Sequence, residues 1–237
     1  MVTFLIRSCL TAWLLGFVWG AHAAPNPASA GLEKADAVLL DMANAFQKND
    51  RKKLTQLLPQ ARGHVLEPWA AYWELRVRLG DASDTEIKEF LNRYSGSYQE
   101  DRLRNDWLLV LGKRKDWSRF DAEYAKFVLD DDTQVKCYSL LSKLSQGENP
   151  TKLAIDARAV LLDPSYFGQA CQELVPSLVA AGGMTPSEAK AIGRAASERG
   201  YDTMARRLGG EDPIAEIVKV AKSDPAKAFK DFSQNAP

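Results

Sequence analysis

Apolar residues recur at helical spacing along most of the chain. An early stripe runs from Ala35 to Phe46, with apolar side chains three and four positions apart. The clearest stripes flank Gly112. They consist of Leu103, Trp107, Leu108 and Leu111 before it, and Trp117, Phe120 and Tyr124 after it. We expect Gly112 to end the first helix, so that the two stripes meet in a packed helical hairpin.

Capping residues and prolines divide the chain into short helices. Ser83 with Glu86, and Thr185 with Glu188, fit the capping-box pattern at a helix start. Several prolines follow a side chain that can cap a helix. These dipeptides are Asn149-Pro150, Thr185-Pro186, Asp212-Pro213 and Asp224-Pro225. Since no segment alternates like a strand, the pattern predicts an all-α fold of about a dozen helices.

Short helices joined by short turns predict a stack of helical hairpins. Each hairpin has an apolar face that only the next hairpin can cover, so the expected architecture is an α-solenoid, or superhelix. No strict tetratricopeptide repeat recurs at a fixed spacing. The helix after Asp224-Pro225 is not followed by a polar capping repeat, which is typical of the front part of a longer superhelix.

The N-terminus has the composition of an export signal. Arg7 precedes an apolar run from Cys9 to Trp19, and Ala21-His22-Ala23 fits a cleavage site. We therefore expect a signal peptide over 1–23, a linker over 24–31 and one superhelical domain over 32–237, in a periplasmic protein. The apolar run is shorter than the roughly 20 residues of a membrane span, so no membrane anchor is expected after cleavage.

Cleavage would leave two cysteines, Cys137 and Cys171. An even number of cysteines in an oxidising compartment favours a disulfide. Two buried free thiols are the alternative.

The charge balance argues against nucleic acid as a partner. Lys and Arg number 31 and Asp and Glu number 31, so the chain has no basic footprint. Short basic clusters lie at 51–53, 113–115 and 206–207. They could contact carboxylate groups of a polymeric partner, but their positions at predicted helix ends favour solvated cations.

Residues suited to catalysis are sparse. The mature chain would keep one histidine, His64, in a predicted loop, and it has neither a nucleophile elbow nor a metal-binding motif. We therefore predict no catalytic, cofactor-binding or metal-binding residue. The carboxylates considered as a general acid are Glu74, Glu123, Glu188 and Glu198. The first two, although flanked by aromatic residues, fit solvated helix positions, and the other two lie on amphipathic helices.

The aromatic residues suggest a possible sugar contact. Trp69, Tyr72, Trp73, Trp107 and Trp117 have spacings that favour packing between hairpins. Trp69 and Trp73 form a pair one helical turn apart, and they are our choice if any aromatic residue contacts glycan.

The residue order over 90–124, FLNRYSGSYQEDRLRNDWLLVLGKRKDWSRFDAEY, resembles the N-terminal helical region of soluble lytic transglycosylases. The likeness continues upstream through 68–76, PWAAYWELR, and downstream to Cys137 and Cys171, which match a cysteine pair in that family. It covers roughly Leu32 to Leu178. The resemblance implies a right-handed, ring-forming superhelix and supports the pairing of the two cysteines.

The resemblance also implies a function in peptidoglycan turnover. Family members cleave glycan strands with a lysozyme-like domain whose acid occurs as Glu-Ser followed by an aromatic residue, and this chain lacks that motif. The expected function is therefore a scaffold that positions glycan strands, or a catalytic domain supplied in cis or in trans, without catalysis by this chain alone. A stand-alone periplasmic adaptor that binds proteins is the alternative. An independent hydrolase is poorly supported.

Overall fold

The computed structural model describes residues 27–162, 167–209 and 220–235, and these residues form helices and turns without a strand. The helices up to residue 209 are α1 (Pro27–Gln47), α2 (Arg51–Leu57), α3 (Glu67–Val77), α4 (Asp84–Arg93), α5 (Tyr98–Arg114), α6 (Trp117–Tyr124), α7 (Thr133–Ser145), α8 (Pro150–Leu162), α9 (Gln169–Ala180), α10 (Pro186–Glu198) and α11 (Asp202–Gly209). A 3-10 helix, Leu58–Ala61, follows α2, and a C-terminal helix spans Pro225–Asn235. The predicted all-α superhelix is confirmed.

The helices pack in two layers. From α1 to α11, each odd-numbered helix contacts the next odd-numbered one, whereas α4, α6, α8 and α10 pack on the odd-numbered helices beside them. Within the described chain, no comparable contact joins one even-numbered helix to the next. The odd-numbered helices therefore form the continuous layer of the stack.

A continuous apolar core lies between the layers. Its main part runs from α3 to α11 and includes the fully buried side chains of Leu108 and Phe120. A second cluster, around Met42 and Leu54, joins α1 and α2 to the start of α3. Trp73 packs against both clusters, so the two parts of the core are connected.

The capping boxes are present as predicted. The Glu86 N–H donates to the Ser83 hydroxyl, and the Ser83 N–H donates back to the Glu86 carboxylate, at the start of α4. Thr185 and Glu188 make the same reciprocal pair at the start of α10. These contacts satisfy backbone N–H groups that have no partner within the helix.

Other predicted helix boundaries have mixed outcomes. Asn149 and Asp224 accept backbone N–H groups at the starts of α8 and of the C-terminal helix. Asp212-Pro213 and the predicted signal peptide, 1–23, lie outside the described residues. α1 begins at Pro27, within the stretch expected to be a linker.

No described helix is long and apolar enough to cross a membrane.

Gly112 does not end its helix, contrary to the prediction. α5 continues to Arg114, and Lys115 ends it in the left-handed conformation with a φ of 56°. A Cβ atom at Gly112 would lie 2.4 Å from the ring Cγ of Tyr138 on α7. Glycine is therefore required here because it allows α5 and α7 to approach closely.

The predicted disulfide is present. It joins Cys137 of α7 to Cys171 of α9, with Cα atoms 5.1 Å apart, and both residues are 0% exposed. The alternative of two free thiols is wrong. α7 and α9 are neighbours in the odd-numbered layer, and α8 lies between them in sequence. The bond therefore holds α7 and α9 together covalently.

α5 packs against several neighbours, which buries some of its polar side chains along with its apolar face. It contacts α3, α4, α6 and α7. Asp101 accepts the backbone N–H groups of Val128 and Leu129 at 3.0 and 2.7 Å. Arg104 forms a buried ion pair with Glu123 of α6. These contacts hold α6 and the segment after it against α5.

Candidate functional site

An aromatic strip crosses three odd-numbered helices. It consists of Phe46 on α1, Trp73 and Trp69 on α3, and Tyr98 at the start of α5. The ring centroids are 6.1 Å apart from Phe46 to Trp73, 6.0 Å from Trp73 to Trp69 and 5.8 Å from Trp69 to Tyr98. The strip is continuous because Trp69 and Trp73 are one helical turn apart and α3 packs against both α1 and α5.

The strip is partly open to solvent. Tyr98 is 53% exposed, and Phe46, Trp69 and Trp73 are half-buried. Trp107 is only 2% exposed, so it belongs to the core and cannot contact a ligand. Each ring of the tryptophan pair chosen from the sequence therefore keeps only part of its surface accessible, and both rings also pack against the core.

Sequence reasoning missed the two ends of this strip. Phe46 belongs to the predicted apolar stripe of α1, and Tyr98 lies at the first position of α5. Neither residue has a local signal that relates it to Trp69 and Trp73. Their proximity comes from the way α1, α3 and α5 stack.

The strip presents the kind of surface that a ligand with apolar faces and polar edges requires. Aromatic rings offer a large apolar surface at low conformational cost. Pyranose rings present C–H groups on their faces and hydroxyl groups at their edges, so they can stack on such a surface. Neighbouring polar groups would then bind the hydroxyls.

A buried carboxylate fixes the position of the strip. Asp106 of α5 accepts a hydrogen bond from the Tyr72 hydroxyl at 2.8 Å and pairs with Arg76 Nε at 2.7 Å. Burial raises the pKa of Asp106, although Arg76 and the Tyr72 hydroxyl act in the opposite direction. Burial, together with the nearby Asp106 charge, also raises the pKa of Tyr72. Tyr72 in turn contacts Trp69 edge to face at 5.8 Å, so the Asp106 network orients the tryptophan.

An open groove adjoins the strip on the odd-numbered layer. Its volume is about 580 Å³, and its walls come from α5, the segment before α7, α7 itself and the start of α9. On α5 the groove begins at Arg102, one helical turn after Tyr98, and continues through Leu109 to Lys113. The strip and the groove therefore share one face of α5.

The groove contains charges of both signs. Arg102 pairs with Asp131 at 3.3 Å, and the Asp131 side chain is 54% exposed. Asp132 caps α7 by accepting the N–H groups of Gln134 and Val135. Lys113 lies at the other end of α5, is exposed, and has no ion pair within the described part of the chain.

The four carboxylates considered as a general acid are not arranged for that role. Glu74 and Glu123 are buried, 4% and 6% exposed, which corrects their assignment as solvated positions. Glu74 accepts hydrogen bonds from Thr55 and Arg78, each at 2.9 Å, and Glu123 pairs with Arg104. Both carboxyl groups are held by partners within the fold, so neither is free to approach a glycosidic oxygen.

The other two candidates lie on α10. Glu188 closes the capping box with Thr185 and pairs with Arg158, and these hydrogen bonds lower its pKa to about 2. Glu198 is exposed at the end of that helix. Neither position shields a carboxyl group from water.

The one histidine in the described residues has a structural contact. His64 lies in the loop before α3, as predicted, with Nε2 2.8 Å from Asp36 and Nδ1 accepting the Leu66 N–H. Among the described residues, no group of His, Cys, Asp and Glu side chains is arranged to hold a metal ion.

The basic clusters differ from one another in their contacts. Arg51 and Lys53 pair with Asp81 and Asp41, so the cluster at 51–53 is largely neutralised. In the cluster at 113–115, Lys115 pairs with Glu173 and Arg114 donates to the Gly80 carbonyl. The remaining cation of that cluster, Lys113, lines the groove.

The chain matches no protein-family model and no curated protein. Its fold is similar to that of a solved structure, the complex of the 70-kDa soluble lytic transglycosylase with bulgecin A, with a TM-score of 0.54 and 18% sequence identity. The similarity covers 86% of this chain and 33% of that chain. This chain therefore has a superhelical fold similar to about a third of that protein, and at this identity the likeness establishes the fold alone.

Proposed function

We propose that this protein is an exported scaffold of peptidoglycan turnover. It binds glycan strands along the aromatic strip and positions a lysozyme-like catalytic domain, supplied in cis or in trans. It does not cut the glycan by itself. The observation that carries this proposal is the continuous row of rings from Phe46 to Tyr98 on the odd-numbered layer.

Three features support the proposal. The strip crosses several helices, so it suits a long polymer better than a small molecule. The fold resembles part of a lytic transglycosylase. None of the four candidate carboxylates is placed as a general acid. Glu74 and Glu123 are ion-paired, Glu188 belongs to a helix cap, and Glu198 is exposed. An extracytoplasmic location agrees with the export signal expected over 1–23.

The first test measures binding to purified sacculi and to chitin oligosaccharides, which carry the glycan chemistry without peptides. Replacing Tyr98 with Ala removes the most exposed ring of the strip. Loss of one stacked ring should weaken binding about twofold to tenfold, corresponding to an aromatic contact of roughly 0.5–1.5 kcal/mol. Phe229→Ala is the matched control, since Phe229 is an aromatic residue that is 76% exposed on the C-terminal helix and is not part of the strip.

The same samples test the remaining parts of the proposal. The exported protein should begin near Ala24 by mass spectrometry, and a mature form that retains Cys9 would contradict export. Sacculi incubated with the chain alone should release no 1,6-anhydromuropeptides above a heat-inactivated control. If Tyr98→Ala and Phe229→Ala bind glycan equally well, the strip is not the binding surface. If the wild-type chain binds neither sacculi nor oligosaccharide, the protein-binding adaptor becomes the better hypothesis.

A further inference from the structure

The groove beside the aromatic strip has a charge pattern that the glycan itself does not require. Unmodified glycan backbones offer hydroxyl and acetamido groups to a binding surface. The groove instead has cations at Arg102 and Lys113 and anions at Asp131 and Asp132, with Leu109 and Tyr138 between them. Such walls suit a zwitterionic ligand whose charged groups are joined by an apolar segment.

The charges in the groove are not equally available. Arg102 is already engaged by Asp131, and Asp132 is engaged by the start of α7 and by the Asn105 side chain at 3.2 Å. Asp131 is 54% exposed and can accept a second donor. Lys113 is the exposed cation at the opposite end, and no described side chain neutralises it.

The length of the groove sets the size of its ligand. Positions 102 and 113 are separated by about 16 Å along a helix. An extended peptide rises about 3.3–3.6 Å per residue, so about four to five residues would span this distance. The volume of about 580 Å³ lies in the range of sites that hold a short peptide or another small ligand.

We propose that the groove binds a short zwitterionic peptide, with a carboxylate at Lys113 and an amino group at Asp131. This inference rests on the proposed function. In that setting the ligand is a peptidoglycan stem peptide, which carries free carboxylates and the amino group of its diamino acid. A glycan strand on the aromatic strip would present its stems to the adjoining groove, because both surfaces share one face of α5.

The test uses the mature chain and a synthetic stem tetrapeptide, L-Ala-γ-D-Glu-meso-diaminopimelate-D-Ala, in isothermal titration. Lys113→Gln should weaken binding of the tetrapeptide about threefold to fivefold, as expected for the loss of one exposed ion pair. Raising the salt concentration should reduce this difference in affinity. Asp131→Asn should also weaken binding of the tetrapeptide. A peptide with amidated carboxylates should bind the wild-type chain and Lys113→Gln equally.

The matched control is Lys88→Gln, which removes the same charge from an exposed position on α4 and should leave peptide binding unchanged. Equal affinity of the wild-type chain and Lys113→Gln for the tetrapeptide would overturn the inference, as would no measurable binding at millimolar peptide. A loss of chitin-oligosaccharide binding in Lys113→Gln would also overturn it, because the groove would then bind glycan. The proposed function fails separately, when the Tyr98 variant and the wild-type chain bind oligosaccharide alike.

Discussion

Removing the disulfide should cost a large part of the stability of the odd-numbered layer. Cys137 and Cys171 are 34 positions apart, so the bond closes a loop of moderate length in the unfolded chain. The chain-entropy relation gives about 4 kcal/mol for a loop of this size. Alanine is the replacement of choice, since serine would place a hydroxyl group in a fully buried site.

The double variant Cys137→Ala/Cys171→Ala also leaves small voids where the sulfur atoms packed. Each void of about methyl size adds roughly 1 kcal/mol, so the total loss should be about 5 to 6 kcal/mol. With a urea m-value of about 2 to 3 kcal/mol/M, the unfolding midpoint should fall by roughly 2 M. Circular dichroism of the mature chain in urea measures this shift directly.

Reductant supplies the control for this experiment. Dithiothreitol added to the wild-type chain during unfolding should lower its midpoint towards that of the double variant, and it should leave the double variant unchanged. A loss below about 1 kcal/mol would refute the reasoning, because it would mean that the unfolded chain is already held compact by other contacts or that the bond is strained.

Two further variants test packing and charge. Gly112→Ala should destabilise the protein by about 1–2 kcal/mol in urea unfolding, because the clash with Tyr138 exceeds the gain in helix propensity; a more stable variant would contradict the close approach of α5 and α7. Glu86→Gln tests the pH dependence of the capping box. Hydrogen bonds from Ser83, and then from Arg78, lower the Glu86 pKa to about 2, so its stabilisation is present above the unfolded pKa near 4.5 and disappears as the pH falls towards 2. The difference between the urea midpoints of wild type and Glu86→Gln should be largest at pH 6 and should shrink steadily as the pH is lowered from 4.5 to 2. A difference that stays constant over this range would contradict the assignment.

The helix starts could be predicted because their signals are local. A capping box needs only a Ser or Thr and a Glu three positions later, and both predicted boxes are present at Ser83 and Thr185. The tryptophan pair of α3 could be placed on one face for the same reason, since one helical turn separates its members. Local rules were sufficient wherever the interacting residues are neighbours in sequence.

The misassignments occurred where the partner lies on another helix. Gly112 has the form of a helix stop, but its role depends on Tyr138, which reaches it only through the packing of α5 on α7. From its sequence position Glu74 fits a solvated site, but the packing of α2 on α3 places Thr55 beside it. Glu123 is buried for a similar reason, because Arg104 meets it across the α5–α6 hairpin. Periodicity identifies a buried face but not the polar partners that come with it.

The two-layer packing explains why the candidate surfaces belong to odd-numbered helices. α5 has α3 on one side, where Asp106 contacts Tyr72, and α7 on the other, where Gly112 contacts Tyr138. The face between these contacts remains open, and it carries Tyr98 at its start and Lys113 near its end. A single helix therefore connects an apolar stacking surface to a charged groove. Since its register is fixed by buried contacts on both sides, a ligand bound to one surface is held in a defined position relative to the other.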